Sequence, residues 1–430
     1  MHEIPITFVI AGALALALLL RRGVPSVLGF GAVYYIYFSF GPAIIYYADL
    51  DDIYSGIVVE WIPDALMGFT IAIFGWFVAD VVWNALRPRK DDPDQQTRWS
   101  TPWKSWTYEW LMLGLTVYGT LIGGRVFLTG VSQNKLAAIS AAGPLHYQYL
   151  LVTVIALSWS SAAWTARGMS RRIVIAAWGS FLLYCLATTE RDFLLIAFVL
   201  GMQVAGRRRS RGAILGFVAT GLVGLLAGTA IFQTRGGEST DLSISTVLNQ
   251  GSTLFVDTYM YQWIANGHLY PEHSWLSALT RTRPTEAGLL SEWFVEAFLG
   301  RTDGGEGSAY GFSLSMEAYM NAGYFGVFGL FFVLGLIQLW LVHKGTTSPL
   351  WSGVSIAFMT QVLSALRGEL YAIVTATLVI AAMTVLFHFG NRPLLRIKEE
   401  HDPHGLAEAT EKEPARDLKQ LWKRRLGLSS

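Results

Sequence analysis

Apolar runs about as long as a bilayer core is thick recur from end to end of this chain, and they constrain its fold more than any other feature. A hydrocarbon core of roughly 30 Å is crossed by about 20 apolar residues of helix. Such runs lie at 4–20, 24–47, 62–86, 105–128, 146–166, 173–188, 193–206, 213–232, 314–342, 350–366 and 370–389. Charged residues supply only 15% of the composition, where an ordinary soluble domain has about 25%. The expected fold class is therefore an all-α polytopic membrane protein with about 11 transmembrane helices. The two shortest runs, near 173 and 193, read either as full spans or as half-spanning pieces. The first run ends at Arg21 and Arg22 and lacks a small-residue cleavage site, so it reads as a retained span. The single cysteine, Cys185, excludes an internal disulfide framework and any Cys-based zinc site.

Orientation follows from the basic connections, because Lys and Arg are retained on the cytoplasmic side. Arg21 and Arg22, Arg87 to Lys90, Arg167 to Arg172, Arg207 to Arg211, Lys344, and Arg392 to Lys398 mark every second connection. Of the 32 Lys and Arg, 8 fall on the other side, which leaves 24 inside. The N-terminus is thereby expected outside and the C-terminus inside. Overall net charge is only +1 and makes no case for nucleic acid. The expected layout is residues 1–232 as helices one to eight, 233–313 as a large outer loop with short interfacial helices, 314–389 as helices nine to eleven, and 390–430 as a basic inner tail. In that tail, Leu418, Leu421, Trp422 and Leu426 among Lys and Arg read either as an amphipathic helix on anionic lipid or as a solubilising segment.

Long ordered loops tend to carry function, and the connection over 233–312 is far longer than the others. Its stretches Val247 to Ala265 and Glu286 to Leu299 read as short helices near the interface, anchored by Trp263, Trp275 and Trp293. The outward cations are Arg125, Lys135, Arg191, Arg235, Arg281, Arg283, Arg301 and Arg367. Seven of these eight are arginine, whose planar fork binds phosphate bidentately, so an outer anion site is one reading. The other is plain pairing with the nine acids of the loop, or with Glu190, Asp192 and Glu369. Thr280-Arg281-Thr282-Arg283-Pro284 suggests extended backbone, in which a period of two aims both guanidinium groups to one side. Arg235 precedes Gly236 and Gly237, which either bring backbone N–H groups to an anion or simply end a helix. His268, His273 and Glu272 are poorly spaced for a metal, and none is expected. Either histidine, or Asp257, Glu292 or Glu296, has the chemistry of a general base.

The ninth helix follows Gly304-Gly305-Glu306-Gly307 and continues from Gly311-Phe312-Ser313 through Glu317, Tyr319 and Asn321 to Gly323-Tyr324. On one continuous helix Ser313, Glu317, Asn321 and Tyr324 would share a face, with Ala318, Ala322 and Gly329 as close-packing positions. An acid there needs a partner, and an outer arginine is the expected one for Glu317. This stretch resembles the Wzy-type O-antigen and capsule repeat-unit polymerases, as does the layout of many helices, one long late outer loop and outward arginines. An Arg with Gly eleven residues later, found in loops of some relatives, has no counterpart in this chain.

The resemblance implies a metal-independent, cofactor-free glycosyltransferase of the GT-C type in the bacterial inner membrane. Its substrates would be undecaprenyl-diphosphate-linked oligosaccharides, with a chain-length-regulating membrane protein as a possible partner. Under it Glu317, Tyr319 and Asn321 carry over from the motif, and the arginines carry over as a class. Arg235, Arg281, Arg283, Arg191 and Arg367 are the expected diphosphate ligands. Tyr319, Asn321, Tyr324 and Ser313 would position substrate, with Glu317, His268 and Glu292 at the chemistry. Tyr259, Tyr261, Trp263 and Trp275 read either as sugar-stacking or as interfacial residues. Two alternatives stand beside this reading: an O-antigen ligase-like enzyme with the same chemistry, and a lipid-linked oligosaccharide flippase. The flippase is disfavoured because Asp80, Glu109 and Arg125 lie near helix ends and mid-membrane charge is scarce.

Overall fold

The computed structural model describes residues 5–20, 27–50, 57–86, 106–131, 135–165, 171–188, 190, 248, 252–282, 285, 288–299, 312–345 and 348–390. Among these residues the regular structure is helical, apart from one isolated bridge between Thr285 and Gly288. In chain order the helices are α1 (Ile6–Leu20), α2 (Val27–Ala48), α3 (Ile62–Leu86), α4 (Trp106–Leu128), α5 (Lys135–Ala142), α6 (His146–Thr165) and α7 (Arg171–Thr188). They continue with α8 (Ser252–Ala265), α9 (Ser274–Thr280), α10 (Leu290–Leu299), α11 (Leu314–Gly345), α12 (Pro349–Ala365) and α13 (Leu370–Gly390). A 3-10 turn, Val59–Trp61, leads into α3.

Nine of the apolar runs fall on helices within a few residues of their expected ends; the runs at 193–206 and 213–232, and the tail after 390, lie outside the described residues. Among the described residues, five helical stretches are both long and apolar enough to cross a membrane: Leu28–Ala48, Val59–Leu86, Tyr108–Leu128, Leu314–Gly345 and Leu370–Phe387. The short run near 173 forms the 18-residue α7, about 27 Å long at 1.5 Å per residue. Small α5 and α9 were not legible, since neither has enough residues for a period to show.

Local chemistry sets several of these boundaries. Ser348 caps α12, its hydroxyl accepting the Leu350 N–H at 3.3 Å, and Pro349 takes the first helical position where no N–H is needed. Pro42 sits inside α2 and cannot donate to the Phe38 carbonyl one turn back. The Thr253 hydroxyl of α8 supplies that missing donor at 3.2 Å, so a proline defect in α2 becomes a docking point for the loop helix.

The core runs through α1, α2, α3, α11 and α12, with Tyr35, Phe69, Trp76 and Phe331 fully buried between them. Tyr35 stacks on Phe331 at 5.7 Å and meets Trp76 at 6.3 Å. The backbones of α3 and α11 come close at Gly75 of α3, where a Cβ would come within 2.8 Å of the Phe328 carbonyl and 3.1 Å of the Phe332 nitrogen. Close packing of α11 thus uses a glycine of its neighbour together with its own Gly335, where a Cβ would come within 2.9 Å of the Ala79 Cβ. Gly329, expected in that role, has open space where its Cβ would be, and Ala322 is exposed.

α11 is also interrupted. Ala322 (φ −155°, ψ 29°) and Gly323 (φ 60°, ψ −152°) leave helical geometry, and Ser313 lies before the first helical residue. The polar positions of this segment therefore do not form one continuous helical stripe: Glu317 and Asn321 precede the break and Tyr324 follows it. Glycine at 323 is what permits a backbone region that residues with a Cβ avoid. Broken backbone inside a membrane helix is tolerated where protein or an aqueous cavity meets it.

Candidate functional site

α8, α9 and α10 gather where α2 ends and α3, α11 and α13 begin, and the side chains that fix them there make the site. Glu317, in the first turn of α11, is buried and its Oε2 accepts the Leu370 N–H at 2.6 Å. Leu370 opens α13, so this N–H is one of the donors a helix start leaves unmatched, at the end where negative charge is favoured. The partner of Glu317 is thus a helix terminus and not the arginine that its charge suggested. One turn later the Asn321 amide donates to the Ser274 hydroxyl and to the Glu317 carbonyl, each at 2.8 Å. Its Oδ1 accepts the Trp275 N–H at 3.3 Å, which fastens the start of α9 to α11. Glu369, just before α13, accepts the Leu290 N–H at 3.0 Å and the Ser291 hydroxyl at 3.2 Å, fastening the start of α10. Burial pushes the Glu369 carboxyl above the usual range, and those two donors act in the opposite direction.

Two arginines meet the same α12–α13 turn. Arg367 lies in it, with its guanidinium 5.1 Å from the Phe38 ring centroid. Arg281 caps the C-terminus of α9 and reaches within 6.0 Å of the ring of Tyr371, the second residue of α13. The extended Thr-Arg-Thr-Arg geometry is not what forms at Arg281. Its φ of 57° and ψ of 32° are left-handed, and the Arg281 and Thr282 N–H groups return to the Ala278 and Ser277 carbonyls at 3.3 and 2.9 Å. Helix termination outweighs the alternation that Pro284 suggested, because it satisfies carbonyls that α9 would otherwise leave open. The Arg281 side chain is exposed, and no carboxylate pairs with it among the described residues.

The remaining expected site residues divide. His268 is exposed with its ring 4.3 Å from Trp263, whose indole N–H donates to the Leu269 carbonyl at 2.9 Å. Glu292 reaches back to accept the Leu289 N–H at 2.7 Å, the behaviour of an acid that steadies its own helix start. Tyr319 lies 4.7 Å from the buried Tyr261 and 5.0 Å from Tyr324, and Tyr261 is parallel to Trp61 at 6.5 Å. Arg191, Arg235 and Arg283 lie outside the described residues, as does Arg301. Among the described residues, no three His, Cys, Asp or Glu side chains cluster as a metal site, and His268, His273 and Glu272 do not come together as one.

A second polar group lies one layer deeper. Tyr35 donates to the Ser315 hydroxyl at 2.7 Å, and Ser315 donates to Asp257 Oδ2 at 3.2 Å. Ser313 lies 2.9 Å from Ser315, so its place is in this buried group rather than on an open face. On sequence grounds Asp257 is one of several equivalent acids, and neither Tyr35 nor Ser315 stands out. Thr253, Asp257 and Tyr261 recur at a helical spacing of four and all face inward, a signal present in the sequence but masked by the aromatic residues around it.

Part of this chain is similar to a known family. Residues 225–391 match the family O-antigen polysaccharide polymerase Wzy. The match reaches well beyond the Gly-rich lead-in and the start of α11, and takes in α8 to α13, hence Asp257, Arg281, Glu317, Arg367 and Glu369. The match covers less than half of the chain, so this segment is similar to that family, and the apolar helices make the protein a multi-pass membrane protein. No curated protein and no solved structure matches the chain.

Proposed function

We propose that this protein joins undecaprenyl-diphosphate-linked oligosaccharide repeat units at the periplasmic face of the bacterial inner membrane, as a GT-C-type enzyme that uses neither metal nor cofactor. The observation that carries the reading is the coincidence of the Wzy-matched segment with the end of the bundle where two arginines meet a turn held by buried carboxylates. The alternation of basic connections supports placing that end outside, with the N-terminus periplasmic and the C-terminus cytoplasmic. About 11 spans and a loop between the eighth and ninth complete the arrangement.

In the proposed reaction an acceptor sugar hydroxyl attacks the anomeric carbon of the lipid-linked chain. The new glycosidic bond forms as the bond from that carbon to the diphosphate oxygen breaks, and the carrier leaves as its diphosphate. Charge grows on the leaving group, and preorganised cations are worth most where charge develops. Arg281 and Arg367 supply them, with Arg191, Arg235 and Arg283 completing the set. Glu317 acts as a positioning residue: by capping α13 it holds the turn that carries Arg367 and presents Tyr371 beneath Arg281. His268 is the candidate base for the acceptor proton, because its imidazole is exposed while Glu292 is engaged with Leu289. Tyr319, Asn321 and Tyr324, with Ser313 behind them, shape the face on which the acceptor sugar lies. A chain-length-regulating membrane protein is the proposed partner.

The test is the cell-surface glycan profile. In a deletion strain, single repeat units on the final acceptor mark loss of a polymerase, whereas long chains stranded on the lipid carrier mark a ligase and units held on the cytosolic leaflet mark a flippase. Complementation with Arg281→Ala, Arg367→Ala and the double variant is expected to shorten the ladder, each single by roughly 100- to 1000-fold in rate as for the loss of one charge-stabilising donor. A normal ladder from a stably inserted double variant would remove the arginine role.

A further inference from the structure

Asp257 is buried on α8 with 1% of its surface exposed, yet the proposed reaction gives it no task. It belongs to an inward stripe in which Thr253 donates to the Phe38 carbonyl of α2, Asp257 meets Ser315 at the start of α11, and Tyr261 lies against Tyr319. These contacts bridge α8 to α2 and α11, and Val58, ahead of α3, adds an N–H to the Thr258 hydroxyl at 3.3 Å. Within the stripe Asp257 stands out. Its Oδ2 receives the Ser315 hydroxyl, which itself receives Tyr35, while its Oδ1 is buried without a hydrogen-bond partner.

We propose that Asp257 is a positioning residue whose carboxylic acid form latches α8 onto α2 and α11, and thereby holds Tyr261 against the Tyr319–Tyr324 face where the acceptor sugar lies. The mechanistic part rests on the polymerase reading; the latch itself does not. The group beside it from α2 is Tyr35, α11 presents the hydroxyls of Ser313 and Ser315, and α8 itself adds Tyr261 one turn on. Among the described residues, no cation and no second carboxylate from α3, its leading turn or α10 faces Asp257. A charge on Oδ1 would have neither counter-ion nor donor, whereas the acid form leaves only a weaker dipole unmatched.

Burial accordingly raises this carboxyl from 3.8 to about 8. The sign of the linkage follows. A group whose docked value lies above its free value stabilises docking fully below the free value, and that contribution is lost as pH rises toward the docked one. Docking of α8 should therefore weaken by about tenfold per pH unit between roughly pH 5 and pH 8 and level off above that. Asn at this position has no proton to lose and should show no such slope.

Hydrogen exchange of the 252–265 segment, measured on the full-length purified protein in lipid nanodiscs and corrected for intrinsic exchange, tests the latch. Wild-type protection is expected to fall about a hundredfold from pH 6 to pH 8, and Asp257→Asn to stay flat across the same range. Ser315→Ala, which keeps the titrating group and removes its donor, should retain the slope with lower protection throughout. Equal slopes in wild-type and Asp257→Asn would overturn the latch, as would a flat wild-type profile. Polymer ladders from cells grown at about pH 6 and pH 8 carry the second arm: wild-type chains should shorten at the higher pH and Asp257→Asn chains should not differ between the two. If exchange behaves as expected while no variant alters the glycan, the latch stands and its part in chain growth falls, whereas the polymerase reading itself falls only if the deletion strain keeps its polymer ladder.

Discussion

At the scale of single residues, the carboxylates of this site serve backbone more than they serve arginine. Glu317 satisfies α13, Glu369 satisfies α10, and Glu292 its own helix start. Removing a buried acceptor leaves its donor bare, which costs about 1–3 kcal/mol, more than the net worth of the bond. Glu317→Ala should therefore destabilise the α12–α13 turn by about that amount and collapse the polymer ladder, because Arg367 and Tyr371 lose their footing. Glu317→Gln retains an oxygen for the Leu370 N–H and should preserve most of the ladder. A glycan gel beside a thermal melt in detergent checks both. Loss of activity in the Gln variant with an unchanged melt would instead assign the negative charge itself to the chemistry. The arginines could be counted from sequence, but their surroundings could not: the left-handed backbone at Arg281 depends on where α9 stops, and α9 is too short to announce itself.

At the scale of elements, defects in two spanning helices are used as fittings. Pro42 frees a carbonyl in α2 that Thr253 fills, and Gly323 breaks α11 between Asn321 and Tyr324. The space around a Cβ at Gly323 is open, so Gly323→Ala meets no steric clash and its effect is purely one of backbone strain. That strain is worth about 1–3 kcal/mol, and relieving it would draw α11 toward a continuous helix. The expected outcome is a lower melting temperature together with a shorter ladder, since straightening would rotate Tyr324 away from Tyr319. An unchanged ladder in this variant would mean that the break has no part in arranging the acceptor face.

At the scale of the whole molecule, the proposed orientation has a direct readout. Leu269, 91% exposed beside the candidate base, should react as Leu269→Cys with a membrane-impermeant maleimide in intact cells. Ser429→Cys in the basic tail should react only after the inner membrane is opened. The background is low, since Cys185 is fully buried. Labelling in the reverse order would invert the topology and move the site to the cytoplasmic side.

What the chain settles by itself is what hydrophobicity and short motifs encode. Bilayer-length apolar runs fix where helices form because each must satisfy its own backbone in lipid, and nine of those runs became helices with almost the expected ends. The segment from Gly304 to Gly329 carries the family resemblance because it is local. Partners distant in sequence needed the tertiary structure. Glu317 meets Leu370 across 53 residues, Tyr35 meets Ser315 across 280, and Thr253 meets Phe38 across 215. No periodicity records such pairings, because they are selected by which helix ends arrive together and which buried donors are left to be matched when they do.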